Sequence, residues 1–280
     1  MIVEPAPAKL NLLLQVAAPR ADGLHPLCSV FVPLDLKDEV RVEPAGDGHD
    51  TVSCPGVSGE NLATRALAAY RAAAPDAGVE HLNVGIGKRI PVAAGLGGGS
   101  ADAAALLRVL TVVAERPLDP QRLRELALAL GSDVPSQLDP SAALVQGVGE
   151  QVEPLALPPM AFVLVPSDEG LSTPQVYAEL DRLRSAGHAP TRERLDPQAA
   201  RLFAQGPVPE LAGAMENDLE VATLSLRPEL ADKLDALRNT GALGARITGS
   251  GPTAFGVFAD RAGAEAAAAG IPGAVVALTR

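Results

Sequence analysis

The sequence predicts an α+β fold divided into two domains. Short apolar runs of strand length alternate with Ala-rich segments of helical periodicity, but not in strict strand–helix order, and this mixed order favours α+β. The chain has 280 residues, against about 150 residues for an ordinary domain. Prolines cluster directly after Glu153, as expected at a boundary. We therefore predict an N-terminal domain over residues 1–153 and a C-terminal domain over residues 154–280.

Strand and helix signals follow one another in the N-terminal half. Four short runs bounded by Pro, Gly or Asp are typical of strands, namely residues 10–16, 27–36, 40–42 and 81–86. The Ala-rich segment 61–73 favours a helix, and apolar residues recur at helical spacing over residues 103–110. Asp119 stands at the N-cap position of a further helix over residues 121–130, which Gly131 would end.

The C-terminal half continues the mixed pattern. Strand-like runs cover residues 161–165, 253–258 and 274–278. Helical patterns cover residues 173–185, 195–205, 217–226 and 229–240. Residues 185–209 mix Pro, Gly and charged residues, which indicates a surface loop within that segment.

The balance of charge excludes some classes of partner. The 34 acidic and 23 basic residues give a net charge of −11, which argues against a nucleic-acid binder with a broad basic face. Aromatic residues make up 2% of the chain and Trp is absent, so a platform for base stacking is not expected either. Anionic small molecules stay open as partners, because a pocket can be locally basic on an acidic protein. We expect a small-molecule substrate and no nucleic acid.

Other patterns bear on compartment and metals. The cysteines Cys28 and Cys54 are too few for a disulfide scaffold and read as buried thiols. The N-terminal residues include an acid and prolines instead of a basic and then apolar leader, and no apolar run reaches the about 18 residues of a membrane span. None of the four histidines has the spacing of a metal motif. We expect a cytoplasmic protein with no membrane segment and no metal ligands.

The most informative segment is the glycine-rich turn in residues 91–105 (PVAAGLGGGSADAAA). Gly95 and the glycines at 97–99 let the backbone take positive φ and approach a ligand. A helix that starts near Gly99 or Ser100 leaves its first amides unpaired, and these amides with the helix dipole form a site for phosphate. The alternative is a flexible turn with a glycine helix cap. The segment is not a Walker loop, a dinucleotide fingerprint or a hydrolase elbow.

Three motifs, in chain order, resemble those of the GHMP kinases, which include galactokinase and the homoserine and mevalonate kinases. Residues 7–12 (PAKLNL) resemble the first motif, residues 91–105 the second and residues 248–255 (TGSGPTAF) the third. The resemblance extends over nearly the whole chain. It implies the two-domain GHMP kinase fold, with ATP and an alcohol acceptor meeting in the cleft between the domains.

Four further segments narrow the resemblance to one branch of the family. They are residues 20–25 (RADGLH), 131–135 (GSDVP), 147–150 (GVGE) and 216–220 (ENDLE). In that branch the acceptor is a methylated sugar alcohol that carries a cytidine diphosphate. The implied reaction moves the γ-phosphate of ATP to the 2-hydroxyl group of this acceptor, in the non-mevalonate route to isoprenoids.

Two residues match catalytic positions of the family. Position alone leaves both open, because Asp133 also fits a helix cap and a lone Lys9 also fits a solvated surface charge. The resemblance implies that Asp133 is the catalytic aspartate that accepts the hydroxyl proton, and that Lys9 is the catalytic lysine that pairs with it. A cation at Lys9 would also favour the alkoxide that develops on the acceptor.

The nucleotide site follows from the second motif. The resemblance implies that the phosphate loop binds ATP through Pro91, Ala94, Gly95, Leu96, Gly97, Gly98, Gly99, Ser100 and Ala101. Phosphoryl transfer needs the charge of the phosphate oxygens neutralised. We therefore expect Mg²⁺ as a second cofactor, with the Ser100 hydroxyl as a candidate contact, and we expect Lys88 close to the adenosine.

The acceptor site draws on several segments. Asn11 matches a residue that contacts the acceptor, and Gly249 and Ser250 shape the third motif beside it. Its cytosine would be read by His25 and stacked by Tyr177.

The sequence departs from the family pattern at Leu24, where the family usually has a tyrosine against the cytosine. Tyr177 would then carry the stacking alone, although its spacing also fits a core position. The segment 136–139 is also more polar than the family pattern.

Two other functions stay open. One is a GHMP kinase for homoserine or mevalonate, which would have no cytosine to read and therefore no use for residues 22–25. The other is a non-catalytic nucleotide-binding relative, which would tolerate the loss of Lys9 or Asp133. We expect a monomer or a weak homodimer.

Overall fold

The structure is a computed structural model that describes residues 1–46, 48–57 and 61–280. The chain divides into two compact units, each built from several separate segments. Unit 1 contains Met1–Ala8, Leu36–Val92 and Gly97–Pro140, and unit 2 contains Lys9–Asp35, Ala93–Leu96 and Ser141–Arg280. The division into residues 1–153 and 154–280 stays a prediction.

Strands and helices alternate irregularly, as the sequence predicts. The strands are β1 (Ile2–Val16), β2 (Leu27–Pro44), β3 (Thr51–Ser53), β4 (Leu82–Gly87), β5 (Ala143–Gly147), β6 (Gln151–Pro154), β7 (Ala161–Val165), β8 (Glu216–Asn217), β9 (Gly244–Ile247), β10 (Ala254–Phe258) and β11 (Val275–Leu278). The helices are α1 (Leu62–Ala73), α2 (Gly98–Val113), α3 (Pro120–Leu130), α4 (Val134–Gln137), α5 (Thr173–Ser185), α6 (Pro197–Ala204), α7 (Val208–Ala214), α8 (Glu220–Leu226), α9 (Leu230–Asn239) and α10 (Arg261–Ala269).

The described residues of unit 1 combine a small sheet with four helices, α1 to α4. In the sheet, β4 pairs antiparallel with the end of β2 and parallel with β3. One cluster of buried apolar side chains, including Val84, Tyr70 and Leu106, joins this sheet to α1, α2 and α3. Burial of each large apolar side chain is worth about 1.5–3 kcal/mol. The cluster therefore fixes the start of α2, which follows the glycine-rich turn.

Two apolar clusters lie among the described residues of unit 2. In the first, α9 and α10 pack on an antiparallel four-stranded sheet with the order β11–β7–β10–β9. In the second, α5 and α8 pack on the second half of β1, the start of β2 and β5. β5 also pairs with β6, and Leu13 and Leu14 of β1 pair with β8. These pairings place β1 beside several residues that the motifs single out.

Helix ends follow the capping signals in the sequence. The Asp119 carboxylate accepts hydrogen bonds from the amides of Gln121 and Arg122, which confirms the predicted N-cap of α3. Asn61 caps α1 in the same way by accepting from the Thr64 amide. The predicted helix over residues 173–185 agrees with α5.

Some predicted bounds are wrong, for physical reasons. The strands predicted at 27–36 and 40–42 form one strand, β2, because the buried Asp38 inside it finds partners in Lys88 and the amides of Arg89 and Ile90. The helix predicted from residue 217 starts at Glu220, since Glu216 and Asn217 pair with β1 instead. β1 begins at Ile2, because the fixed φ of proline is compatible with an extended chain.

Among the described residues, none of the helices is both long and apolar enough to cross a lipid bilayer.

Candidate functional site

The first predicted motif places two polar side chains on one face of β1. Lys9 and Asn11 are two residues apart and therefore point the same way from the strand. Only 5% of Lys9 and 3% of Asn11 is exposed. Lys9 Nζ donates a hydrogen bond of 2.7 Å to Asn11 Oδ1 and lies 4.7 Å from the centre of the Phe31 ring. A buried cation needs such partners, because burial in an apolar setting is costly for an unpaired charge.

Asn11 connects this strand to the rest of unit 2. Its Nδ2 donates to Ser29 Oγ at 2.9 Å, and Ser29 Oγ donates to the Leu13 carbonyl at 2.6 Å. The backbone amide of Asn11 donates to Thr248 Oγ1 at 3.1 Å. The side chain that orients Lys9 is therefore itself fixed by two other segments.

The third motif forms the loop of the β9–β10 hairpin and lies beside this pair. A Cβ atom placed on Gly249 would be 3.2 Å from Asn11 Oδ1 and 3.6 Å from Lys9 Nζ. Gly249 has a φ of +56°, which favours glycine. Asn217 holds the loop from the other side by donating to the carbonyls of Ile247 and Gly249, each at 2.8 Å.

The first part of the glycine-rich turn, Ala93–Leu96, belongs to the same unit and contacts the third motif. Lys9 N donates to the Leu96 carbonyl at 3.0 Å. A Cβ atom on Gly95, whose φ is +77°, would lie 2.6 Å from the Gly251 carbonyl oxygen. Glycine is therefore required at position 95 by both conformation and space. Residues from all three predicted motifs thus meet within unit 2.

The second part of the turn belongs to unit 1 and begins α2. Gly97 is the N-cap residue, with a φ of +71° and no side chain to satisfy the first amides of the helix. No acidic residue lies in the first turn. Ala93, in the part of the turn that belongs to unit 2, has a positive φ of +54°, which is uncommon outside glycine and typical of strained functional turns. The start of α2, with Gly98, Gly99 and Ser100, has the features of an anion site.

A buried charge cluster lies next to the start of α2 in unit 1. Lys88 Nζ donates to Asp102 Oδ2 at 2.8 Å and also to Asp38, and it would be 3.2 Å from a Cβ atom on Gly98. Burial raises the pKa of Asp102 to about 6, although the Lys88 charge opposes this shift. Burial by itself would lower the pKa of Lys88, but Asp102 and Asp38 outweigh it and raise that pKa. Asp102 Oδ1 is buried and has no hydrogen-bond partner among the described residues.

Asp133 lies in unit 1 at the start of the short helix α4. In this described segment, its side chain makes no capping hydrogen bond to the amides that follow. The capping alternative therefore has no support from the local geometry. The helix start is instead held by the Ser136 hydroxyl, which donates to the Asp133 carbonyl at 2.8 Å.

His25 and Tyr177, both of which are predicted to contact the cytosine of the acceptor, are neighbours in unit 2. Their ring centres are 4.9 Å apart, with an angle of 47° between the planes. His25 Nε2 lies 3.0 Å from Asp181 Oδ1, one turn further along α5. Leu24, at the departure from the family pattern, is half exposed. Tyr177 also packs against the apolar cluster under α5, as expected for a core position. Its place beside His25 is compatible with the alternative role in stacking on the cytosine.

Ser250 lies under the start of α5. Its Oγ is 2.8 Å from Thr173 Oγ1, and its carbonyl accepts from Thr223 Oγ1 at 3.3 Å. Sequence reasoning missed Thr173, Asn217 and Asp181, although Asn217 lies in a quoted motif. Each is defined by a partner far away in the sequence, and no local pattern identifies it.

The structure thus sorts the predicted residues into groups. Lys9, Asn11, Gly95, Leu96 and Gly249 are close neighbours in unit 2. Ala94 also contacts the third motif, because its carbonyl accepts from the Thr253 amide at 3.3 Å. Pro91, the residues 97–101 and Asp133 belong to unit 1. Across residues 1–46, 48–57 and 61–280, no three His, Cys, Asp or Glu side chains gather so that they could hold a metal ion.

Two family models match the chain. The GHMP kinases N terminal domain matches residues 61–147, and the GHMP kinases C terminal domain matches residues 199–276. Curated relatives named 4-diphosphocytidyl-2-C-methyl-D-erythritol kinase are similar over most of their length. The protein from Thermobifida fusca (strain YX) is 44% identical over 88% of this chain and 83% of its own. The protein from Anaeromyxobacter sp. (strain Fw109-5) is 44% identical over 97% of this chain and 87% of its own.

Solved structures agree with this placement. A crystal structure of 4-(cytidine 5'-diphospho)-2C-methyl-D-erythritol kinase has a TM-score of 0.81 and 34% identity, and covers 100% of both chains. A homoserine kinase from Cytophaga hutchinsonii has a TM-score of 0.70 at 18% identity, covering 99% of this chain and 94% of its own. At that identity the second likeness shows the fold alone.

Proposed function

The chain belongs to the GHMP kinase family, and we propose that it transfers the γ-phosphate of ATP to the 2-hydroxyl group of 4-diphosphocytidyl-2-C-methyl-D-erythritol. The observation that carries this function is 44% identity to a relative named for that kinase, over 97% of this chain and 87% of the relative. Homoserine and mevalonate kinases share the fold at 18% and 15% identity. The reaction is a step of the non-mevalonate route to isoprenoids.

Asp133 and Lys9 carry the proposed chemistry. The acceptor is a tertiary alcohol, a weak nucleophile that reacts faster when a base takes its proton. Asp133 accepts that proton, which is worth about 10²–10⁴ in rate. Lys9 presents its buried ammonium group, oriented by Asn11, to the negative charge that develops on the attacking oxygen. The location of the active site between the two predicted domains stays a prediction.

ATP is bound through the glycine-rich turn. No side chain caps the start of α2, so the amides of Gly98, Gly99 and Ser100 are available to donate to phosphate oxygens. Pro91, the residues 94–97 and Ala101 give the turn its shape. The Lys88 cluster lies beside Gly98 and holds the start of α2 in place. We expect Lys88 to lie close to the adenosine of bound ATP.

Mg²⁺ fits this site as part of the nucleotide substrate. The described residues offer no cluster of three or more acidic, His or Cys ligands, and Mg²⁺ commonly keeps its waters and binds through phosphates. When bound, the ion neutralises charge on the phosphate oxygens. Ser100 is the side chain of the turn that would contact it, through its hydroxyl.

The acceptor is held at its two ends. Asn11 and Gly249 lie next to Lys9, and Ser250 follows Gly249 in the same loop. These three residues contact the erythritol and diphosphate portion. His25 reads the cytosine, and Tyr177 stacks on it from α5. Leu24 adds apolar contact without aromatic stacking.

Location and assembly are part of the proposal. We place the protein in the cytoplasm, where ATP is abundant, as a monomer or a weak homodimer. Size-exclusion chromatography with light scattering at two concentrations tests the assembly.

The proposed activity is tested by measuring ADP release with ATP and Mg²⁺. The acceptors to compare are the diphosphocytidyl compound, mevalonate, homoserine and none. We expect turnover on the cytidine compound alone. Turnover on mevalonate or homoserine would support a kinase of another specificity and would overturn the proposed role of His25 in reading cytosine. Binding of ATP without turnover of any acceptor would favour the non-catalytic relative.

A further inference from the structure

His25 has a carboxylate partner on a separate element. His25 Nε2 lies 3.0 and 3.2 Å from the two carboxylate oxygens of Asp181 on α5. The histidine side chain is 8% exposed and the aspartate side chain 38% exposed. This pair connects the segment after residue 20 to a helix that begins more than 140 residues later.

Neighbouring cations on α5 are engaged elsewhere, which leaves Asp181 to the histidine. Arg182 forms a bidentate salt bridge with Glu179. Arg184 donates to the carbonyl of Val16 at 2.7 Å. Among the described residues, Asp181 therefore faces His25, while Arg182 and Arg184 of α5 contact other groups.

The backbone around His25 is fixed as well. The Arg20 amide donates to the Leu24 carbonyl at 2.8 Å, and the Ala17 amide donates to the Pro26 carbonyl at 2.9 Å. Tyr177 lies against one side of the imidazole. The contact with Asp181 then sets which way the ring is turned.

Hydrogen-bond chemistry gives this contact a consequence. A neutral imidazole has one nitrogen that donates and one that accepts. A carboxylate only accepts, so Nε2 must carry the proton and Nδ1 must be the acceptor. Cytosine presents an amino group at N4, which donates, whereas uracil presents a carbonyl oxygen at that position.

We propose that Asp181 is a positioning residue that fixes the Nε2–H form of His25, so that Nδ1 accepts a hydrogen bond from the N4 amino group of the acceptor's cytosine. This inference deepens the proposed function and rests on it. The same geometry rejects uracil, because a carbonyl oxygen at that position would face a lone pair on Nδ1. Specificity for the base thus depends on a residue that does not touch it.

The kinetic test compares the cytidine acceptor with its uridine counterpart in four proteins. These are the wild type, Asp181→Ala, Asp181→Asn and the control Asp235→Ala, which removes an exposed acid on α9 that pairs with Arg238. In Asp181→Ala we expect kcat/KM for the cytidine acceptor to fall about 10- to 100-fold, mainly through KM. We expect the preference for cytidine over uridine to fall at least 10-fold. KM for ATP should change less than 2-fold.

Asp181→Asn is the rescue variant, because its amide oxygen still accepts from Nε2–H. We expect it to recover most of the cytidine preference. An unchanged base preference in folded Asp181→Ala would overturn the proposal. If Asp181→Ala does not fold, the protonation of the His25 nitrogens in the wild type decides whether the proposal holds.

A spectroscopic readout separates this proposal from the proposed function. The chain has only four histidines, so ¹⁵N NMR of the imidazole nitrogens can be assigned with His25→Gln. The wild type should show a protonated Nε2 and an unprotonated Nδ1 for His25, and Asp181→Ala should show a mixture of the two forms. CDP should shift the Nδ1 signal and UDP should not.

A His25 protonated at Nδ1, or at both nitrogens, in the wild type would overturn the inference. If the wild type fails to phosphorylate the cytidine acceptor, the proposed function fails. The NMR titrations with CDP and UDP would then still decide whether Asp181 controls the base-reading nitrogen.

Discussion

Lys9 Nζ donates to Asn11 Oδ1 across 2.7 Å, between two side chains on the same face of β1. Asn11 is in turn fixed by Ser29, and its backbone by Thr248 of the third motif. The orientation of the ammonium group is therefore set by residues from three separate segments. A lysine that served only as a solvated surface charge would not require this arrangement.

Replacement of Lys9 by methionine tests the proposed role of its charge. Methionine has a similar length and fills the buried space without a cation, so the fold should keep its stability to within about 1 kcal/mol. Loss of the charge should lower kcat about 10²–10³-fold, the range found when an oxyanion stabiliser is removed. Steady-state ADP release and thermal unfolding give the two quantities.

The matched control for Lys9 is Lys37→Met, which removes an exposed lysine from β2. Its kcat should stay within 2-fold of the wild type. If Lys9→Met keeps full turnover with the same fold, Lys9 has only a structural role.

Asp133→Asn tests the proposed base. The amide has nearly the same size but cannot take a proton from the acceptor, so kcat should fall at least about 10²-fold. The Kd for ATP, measured by calorimetry, should change little, because the proposed phosphate contacts lie at the start of α2. Ser136→Ala is a useful companion, since it removes the hydroxyl that holds the Asp133 carbonyl while leaving the carboxylate. A normal kcat in Asp133→Asn would show that Asp133 is not the general base.

The sequence identified the site residues that belong to short motifs of neighbouring residues. Lys9 and Asn11 were identified by the resemblance of residues 7–12 to a family motif, although the predicted strand began only at residue 10. The turn at Gly95 was recognised from its run of glycines. Hydrogen-bond partners that only the tertiary fold brings together could not be predicted from the sequence. Asp181 lies 156 residues from His25, and Thr248 lies 237 residues from Asn11. The break predicted between residues 36 and 40 was wrong, because the buried Asp38 is accommodated inside β2 by Lys88 and two backbone amides.

Gly95→Ala separates conformational strain from close contact in the glycine-rich turn. Alanine at a φ of +77° pays about 1–2 kcal/mol, and its Cβ would also overlap the Gly251 carbonyl oxygen at 2.6 Å. We expect a loss of about 3 kcal/mol or more in the free energy of unfolding, together with weaker ATP binding. Urea unfolding and ATP titration provide the measurements.

Gly273→Ala is the matched control for that substitution. Gly273 has a φ of +72°, close to that of Gly95, but a Cβ there would have nothing within 4 Å. It should lose only the about 1–2 kcal/mol of backbone strain and bind ATP normally. Equal losses in the two variants would show that the contact with the third motif does not constrain position 95.

Asp102 should make stability depend on pH. Burial raises its pKa in the folded protein from an ordinary value of 3.8 to about 6, so the folded state holds the proton more tightly than the unfolded state. The stabilisation from this group is therefore fully present below about pH 4 and is lost as the pH rises through about 6. A shift of about two pKa units corresponds to about 3 kcal/mol.

Asp102→Asn cannot titrate, although its amide oxygen can still accept from Lys88. Between pH 4 and pH 7.5, the free energy of unfolding of the wild type should fall by about 3 kcal/mol relative to this variant. Asp235→Asn, which removes an exposed acid, should follow the wild type at every pH. Parallel stability curves for the wild type and Asp102→Asn would mean that the proton on Asp102 is bound equally in the folded and unfolded states, and that the Lys88 cluster keeps this carboxylate ionised beside the start of α2.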